Sequence, residues 1–160
     1  MPRRSKVSWK ELDVFAVPLP DGSCAFGQAI GMMMTNVVYC ALTDQRAPSV
    51  PAAPPSLLPA QVVARVALSR EQLDYGAWPI LGPARALCAR SDFPNERFAR
   101  SGYVGARIYD AALAEEFLAA FHALACWDAF HDPTYLDQWL VSPSRKPARL
   151  LFKSTAKSSN

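Results

Sequence analysis

The chain has 160 residues, of which 51% are hydrophobic and 19% charged, with four cysteines and a net charge of +3. A chain of this length and apolar content builds one domain with its own core. Because no run reaches about 18 apolar residues, a membrane-spanning helix is excluded. The cysteines form no CxxC pair, which argues against a zinc ribbon or a disulfide framework. The basic start lacks the apolar core of a signal peptide, so we expect a cytoplasmic protein.

The charges are unevenly distributed along the chain. Nine of the 17 lysines and arginines lie in residues 1–10 and 145–160, which contain no acidic residue. The part between residues 11 and 144 therefore holds eight basic residues against all 14 acidic ones, a net charge of −6. We expect basic tails at 1–10 and 153–160 around a single globular domain at 11–152. An acidic body repels phosphate and attracts a basic protein partner.

Residues 13–44 predict a three-stranded meander. Apolar and small residues alternate up to Leu19, and Asp21-Gly22 is a strong hairpin signal because glycine tolerates the positive φ of tight turns. The return strand spans about 23–32, and a cluster of β-branched and aromatic residues predicts a third strand at 36–44.

A proline-rich segment, 46–60, follows the meander and predicts an extended surface loop, with a partner-docking role left open. Residues 61–69 are compatible with a strand or a helix. Trp78–Gly82 predicts a short strand, and further strand candidates lie at 102–110 and 148–153.

Residues 110–127 predict one long helix that begins at the N-cap Asp110. A second, short helix is expected at 132–141, with Asp132 as its N-cap. The predicted class is α+β, mostly β: a small SH3-like curled sheet or partly open barrel of about five to six strands with both helices packed on it.

The sequence offers little catalytic chemistry. It contains no glycine-rich phosphate loop and no nucleophile elbow. His122 and Cys126 are spaced i, i+4 on the predicted helix and could share a metal, but no further ligand has a suitable spacing. We therefore expect no enzymatic activity, no metal and no cofactor.

The opening hairpin resembles the immunity protein 26 family of bacterial polymorphic toxin systems, and the Trp78–Gly82 stretch is similar to the tryptophan strand of those proteins. The chain departs from the family pattern at Leu12, where glycine is usual, and at Cys24-Ala25, where an aromatic is common. The resemblance implies a small, mostly β protein without catalysis that binds and blocks a cognate toxin. We expect structural roles for the matching residues: Asp13, Val14, Phe15, Pro18, Leu19, Asp21, Gly22, Phe26, Gly27 and Trp78.

The negative charge of the body favours a basic toxin, such as a nuclease. Aromatic residues flanked by carboxylates suit such a partner, and seven residues form the predicted contact set: Asp92, Phe93, Glu96, Asp128, Asp132, Tyr135 and Asp137. Two alternatives are a nucleic-acid-binding adaptor that uses the basic termini and a small metal-dependent hydrolase that uses His122 and Cys126.

Overall fold

Five strands form one antiparallel sheet in the computed structural model, which describes residues 5–153. The spatial order is β4-β3-β2-β1-β5, so strands consecutive in the chain are neighbours except where β5 returns to pair with β1. Within the described residues β4 and β5 do not pair with each other, so the sheet is open. The strands are β1 Asp13–Pro18, β2 Cys24–Met34, β3 Val37–Ala47, β4 Val62–Ser69 and β5 Ile80–Pro83.

The β1–β2 hairpin forms where its turn signal predicts it. Gly22 has a φ of 87°, the left-handed region that glycine adopts without strain. The carboxylate of Asp21 accepts a hydrogen bond from the Ser23 amide at 3.1 Å and forms an ion pair with Arg46 of β3. The turn is thus fixed both locally and to the third strand.

Residues 61–69, which the sequence left open between strand and helix, form strand β4 from Val62 onward. The strand prediction for 78–82 is correct in part, since β5 begins at Ile80 and Trp78 is a buried residue before it. Two other strand candidates are wrong. Residues 102–110 make only a single bridge, between Leu68 and Tyr109, and 148–153 make only one, between Cys126 and Leu151.

The predicted long helix is shorter than expected. It is helix α2, which spans Ala111–Phe121 and is capped by Asp110 as predicted. An earlier helix, α1, is a single turn at Glu71–Asp74. Helix α2 ends because Ala123 adopts a φ of 60°. The amides of Ala123 and Leu124 then donate hydrogen bonds to the carbonyls of Ala120 and Ala119, respectively. This is a Schellman motif, in which the left-handed residue is usually glycine. The expected second helix is a 3₁₀ turn at Tyr135–Trp139. Its N-cap is Thr134, so the prediction of Asp132 as the N-cap is wrong.

The sheet is covered on both faces. Alternate residues of β3 and β4 point to opposite sides, so Val38 and Leu68 pack against Phe117 of α2, whereas Tyr39 and Ala67 pack against Phe93. We call residues 108–144 the helical layer and residues 84–107 the loop layer. The loop layer contains 3₁₀ helices at Arg90–Asp92 and Pro94–Ser101, and further 3₁₀ turns occur at Pro59–Gln61 and Pro143–Arg145.

Part of the predicted N-terminal tail is packed against the body. The Val7 amide bonds to the Asp74 carbonyl at 2.6 Å, and the Trp9 indole N–H bonds to the Asp74 carboxylate at 2.8 Å. Arg70 lies over the Trp9 ring, 5.2 Å from its centroid. Residues 1–4 and 154–160, the outer parts of both predicted tails, lie outside the described residues. Among residues 5–153 no helix has the length and apolar composition needed to cross a bilayer.

Candidate functional site

Charge is divided between the two layers that cover the sheet. The helical layer contains no lysine or arginine, and the loop layer holds five arginines against two carboxylates. The net charge of the whole body hides this division, because it averages an acidic face with a basic one. The acidic residues of the helical layer are Asp110, Glu115, Glu116, Asp128, Asp132 and Asp137.

An apolar groove of about 700 Å³ lies on the helical side. One wall is the end of the opening hairpin, at 18–20, and the other is α2 with the segment that follows it. The Schellman turn at Ala123 creates this second wall, because it sends the chain back beside the helix it has just left. The residues that line the groove are Pro18, Leu19, Pro20, Glu115, Glu116, Ala119, Ala125, Cys126, Ala129 and Phe130.

The two glutamates of the groove have different surroundings. The carboxylate of Glu115 accepts hydrogen bonds from the Trp78 indole at 2.9 Å and from the Gln72 amide at 2.6 Å. Glu116 is exposed and forms no ion pair within residues 5–153. Glu115 therefore connects α2 to Gln72 of α1 and to Trp78, and Glu116 remains available to a partner at the rim.

Two of the predicted contact residues, Asp128 and Tyr135, adjoin the lining of this groove, and a third, Asp132, follows two residues after the lining residue Phe130. Asp128 lies between the lining residues Cys126 and Ala129, and its carboxylate accepts a hydrogen bond from the Lys153 amide at 2.9 Å. The Tyr135 ring lies 4.8 Å from the ring of Phe130, measured between centroids. Asp132 is exposed, and hydrogen bonds from the amide and hydroxyl of Thr134 lower the pKa of Asp132.

Asp137, the fourth predicted residue of the helical layer, is held by its neighbours. Its carboxylate accepts a hydrogen bond from the Trp127 indole at 2.7 Å and forms an ion pair with Lys146 at 3.0 Å. Burial raises the pKa of Asp137, but these two donors outweigh burial and leave the pKa below its ordinary value. Asp137 thus stabilises the layer and is less free to contact a partner than Glu116.

The other three predicted residues belong to the loop layer and form no common patch with the groove. Phe93 was expected to be a contact, and this is wrong, because it is 2% exposed and stacks on Tyr39 with 4.3 Å between ring centroids. Glu96 accepts hydrogen bonds from the Tyr39 and Tyr103 hydroxyls, each at 2.9 Å, and pairs with Arg90. Asp92 is exposed, and one of its oxygens accepts from the Ala89 amide.

The metal-hydrolase alternative loses its geometric basis. Since α2 ends at Phe121, His122 and Cys126 do not lie one turn apart on a helix. The Nε2 atom of His122 is buried without a hydrogen-bond partner, and burial lowers the pKa of this imidazole, with Arg46 adding to the effect. No group of three or more possible metal ligands occurs in the described part of the chain.

The residues shared with the immunity family pattern have positions in the sheet and its turn. Phe15 stacks on Trp78 at 5.1 Å between centroids and is paired in register with Gly27 of β2. Phe26 points to the opposite face, beside Ala16 and Cys24. These observations describe a scaffold, yet the same hairpin supplies Pro18 and Leu19 to the groove wall.

Sequence reasoning missed most of the groove. Glu116, Ala129 and Phe130 carry no motif, and their proximity to the hairpin end depends on the turn at Ala123. One signal was present in the sequence, namely the complete lack of lysine and arginine from 108 to 144. The chain matches no protein-family model, no curated protein and no solved structure, so its likeness to the immunity protein 26 family remains that of the opening hairpin and the Trp78 strand.

Proposed function

We propose that this chain is an immunity protein that binds a cognate bacterial toxin and neutralises it by blocking it, without catalysis of its own. The observation that supports this function best is the apolar groove of the helical layer, which is bordered by carboxylates and has no lysine or arginine in the surrounding segment 108–144. The proposed contacts are Glu116, Asp128, Ala129, Phe130, Asp132 and Tyr135.

The groove has the chemistry of a site for a basic protein segment with an apolar anchor. Pro18, Ala129 and Phe130 offer apolar surface that an inserted side chain can cover, and burying such an anchor supplies most of the energy of a protein contact. The exposed carboxylates of Glu116 and Asp132 raise the association rate of a basic partner and disfavour acidic ones. A basic nuclease toxin meets both conditions.

The backbone at Leu12 supports the family resemblance. Leu12 has a φ of 74°, a left-handed conformation in which a non-glycine residue costs about 1–2 kcal/mol. Glycine is the usual residue of the family at this position. The departure in sequence therefore falls where the backbone retains the conformation that glycine favours.

Two finer features belong to the same proposal. The pairs β2–β3, β1–β5 and β3–β4 contain register shifts, and such bulges bend strands, as an SH3-like curled sheet requires. A cytoplasmic location is in keeping with four cysteines that are all free, because thiols stay reduced in that compartment.

The test is affinity capture with tagged full-length protein from a lysate of the source organism, with and without nuclease treatment, followed by mass spectrometry. The binding variant combines Glu116→Lys with Ala129→Gln, which reverses a charge at the rim of the groove and makes part of its apolar lining polar. The control is Asp92→Lys, an equally large charge reversal at an exposed position of the loop layer.

We expect wild type and the Asp92→Lys control to retain one basic protein after nuclease treatment, and the groove variant to lose it. The captured protein should be toxic when expressed alone and harmless when co-expressed with the wild-type chain. Equal retention by all three proteins would reject the groove as the contact. Partners that disappear with nuclease would favour the nucleic-acid-binding adaptor instead.

A further inference from the structure

A second cavity, of about 310 Å³, lies between the loop layer and residues 138–141 of the helical layer, beside Arg65 and Val66 of β4. Its lining includes three arginines and one carboxylate together with aromatic surface. The residues that matter for its chemistry are Arg65, Arg97, Arg107, Asp92, Tyr109 and Trp139.

The three arginines come from separate parts of the fold. Arg65 belongs to β4, where it is paired in register with Ala41. Arg97 belongs to the 3₁₀ helix Pro94–Ser101, and its guanidinium lies over the ring of Phe98, 5.0 Å from the centroid. The backbone carbonyl of Arg107 accepts a hydrogen bond from the Asn95 side-chain amide at 2.8 Å, which joins the 3₁₀ helix Pro94–Ser101 to the end of the loop layer.

These arginines are not neutralised by carboxylates. Within residues 5–153 the ion-paired arginines are Arg46, Arg70, Arg90 and Arg145, and none of the three cavity arginines is among them. Arg107 donates to the neutral amide oxygen of Gln138. With Asp92 included, the lining carries a net charge of +2, and a concave positive site raises the local concentration of anions. Arg97 and Arg107 are exposed, so both can reach a ligand that enters from solvent.

Hydrogen-bond donors are also in excess. The Nε atom of Arg65 and the Nε1 atom of Trp139 are both buried without an acceptor, and both residues line this cavity. A buried donor without an acceptor destabilises the folded state, so folded proteins rarely leave two in one place. An anion in the cavity would give the neighbouring guanidinium N–H groups the acceptors that the chain does not supply.

We infer that this cavity binds a small organic phosphate monoester. Guanidinium groups recognise phosphate through paired N–H donors, and a phosphate monoester carries about −1.5 to −2 at neutral pH, which matches the charge of the lining. The apolar surface of Phe98, Tyr109 and Trp139 can accept the organic part of the ligand. The volume lies at the lower end of the range for small-molecule pockets, about 300–1,000 Å³, so the ligand is small.

The test uses phenyl phosphate as the probe, with calorimetric titration and thermal unfolding of the full-length protein at low ionic strength. Benzoate replaces phosphate by a carboxylate on the same ring, and inorganic phosphate removes the ring. The variants are Arg97→Gln and Arg107→Gln, with Arg100→Gln as the control because Arg100 is exposed and does not line the cavity. Circular dichroism verifies that each variant is folded.

We expect saturable binding of phenyl phosphate and a rise in its Kd of about tenfold or more in each cavity variant, with no change in the control. Benzoate and inorganic phosphate should each bind more weakly than phenyl phosphate. Lack of saturation up to about 10 mM probe would overturn the inference, since such a Kd is too weak for a built site. Equal weakening in Arg100→Gln would do the same, by showing diffuse surface attraction. Tighter, arginine-dependent binding of a single-stranded oligonucleotide would replace the small ligand with a nucleic acid. None of these outcomes depends on the identity of the toxin.

Discussion

Replacing Gly27 by alanine tests whether the hairpin shared with the immunity family is a packing device. A Cβ atom at this position would lie 2.6 Å from Cζ of Phe15, 2.8 Å from Cε2 and 3.0 Å from the Ala41 carbonyl oxygen. Phe15 is fully buried and stacked on Trp78, so its ring has no free space to move into. Overpacking of this kind costs about 1–3 kcal/mol, and the upper half applies when the obstacle is a confined ring.

The lower backbone entropy of unfolded alanine returns about 0.5–1 kcal/mol, which leaves a net loss of about 2 kcal/mol for Gly27→Ala. For a chain of this size that loss corresponds to a decrease in Tm of about 4–8 °C. Urea unfolding followed by tryptophan fluorescence measures it directly.

Gly31→Ala is the matched control in the same strand. Its nearest neighbour would be the Glu11 carboxylate at 3.4 Å, an ordinary contact with the far end of a flexible side chain. We expect a change within about 0.5 kcal/mol of wild type, as for a substitution without a clash. If Gly27→Ala were as mild as this control, the close packing of Phe15 on the Gly27 backbone would not constrain the fold, and the reasoning would be refuted.

Three further predictions concern buried and hydrogen-bonded polar groups. The side-chain amide of Gln28 is fully buried and accepts a hydrogen bond from the Leu87 amide. It also donates to three backbone carbonyls, those of Leu12, Ala84 and Arg85. Gln28→Leu should therefore lower the free energy of unfolding, measured by urea titration, by about 3 kcal/mol. An unchanged value would show that these bonds are replaced by water. Hydrogen bonds hold the pKa of Glu96 below its ordinary value despite some burial. The ionised carboxylate therefore contributes fully to folding stability above the pKa that Glu96 has in the unfolded chain. This contribution is lost as the pH falls through the pKa of Glu96 in the folded protein. Unfolding measured between about pH 5 and 3 should therefore depend less on pH in Glu96→Gln than in wild type. Burial also lowers the pKa of His122, so the folded state favours the neutral imidazole. Folding stability should therefore decrease as the pH falls below about 6.5, where the unfolded chain binds a proton at this residue. His122→Gln should remove this part of the pH dependence of the free energy of unfolding.

The local sequence was sufficient for the hairpin, for β3 and for the start of α2. Asp21-Gly22 and the N-cap Asp110 act through bonds to their near neighbours, so their effect is readable without knowledge of the rest of the chain. Strand β4 was ambiguous in isolation, because alanine and valine at 61–69 suit a helix as well as a strand. Pairing with β3 along Val37–Thr43 decides it.

The end of α2 could not be read from the sequence, since Ala123 takes the left-handed conformation that glycine normally signals. The interpretation of Phe93 failed for a related reason. A loop aromatic beside acidic residues looks like a contact, and only the arrangement of the loop layer over β3 buries it against Tyr39.

The sequence by itself determined the mostly β class, the opening hairpin and the acidic charge of residues 11–144, because composition, alternation and turn chemistry act locally. Tertiary structure decided where the charges go. Folding separates the carboxylates of 108–144 from the arginines of 84–107 by placing them on opposite faces of one sheet, since neighbouring residues of a strand point to opposite sides. Folding also brings Arg65, Arg97 and Arg107 together around one cavity. It places the end of the opening hairpin beside Phe130 in one groove. No spacing pattern in the sequence predicts that these residues are close in space.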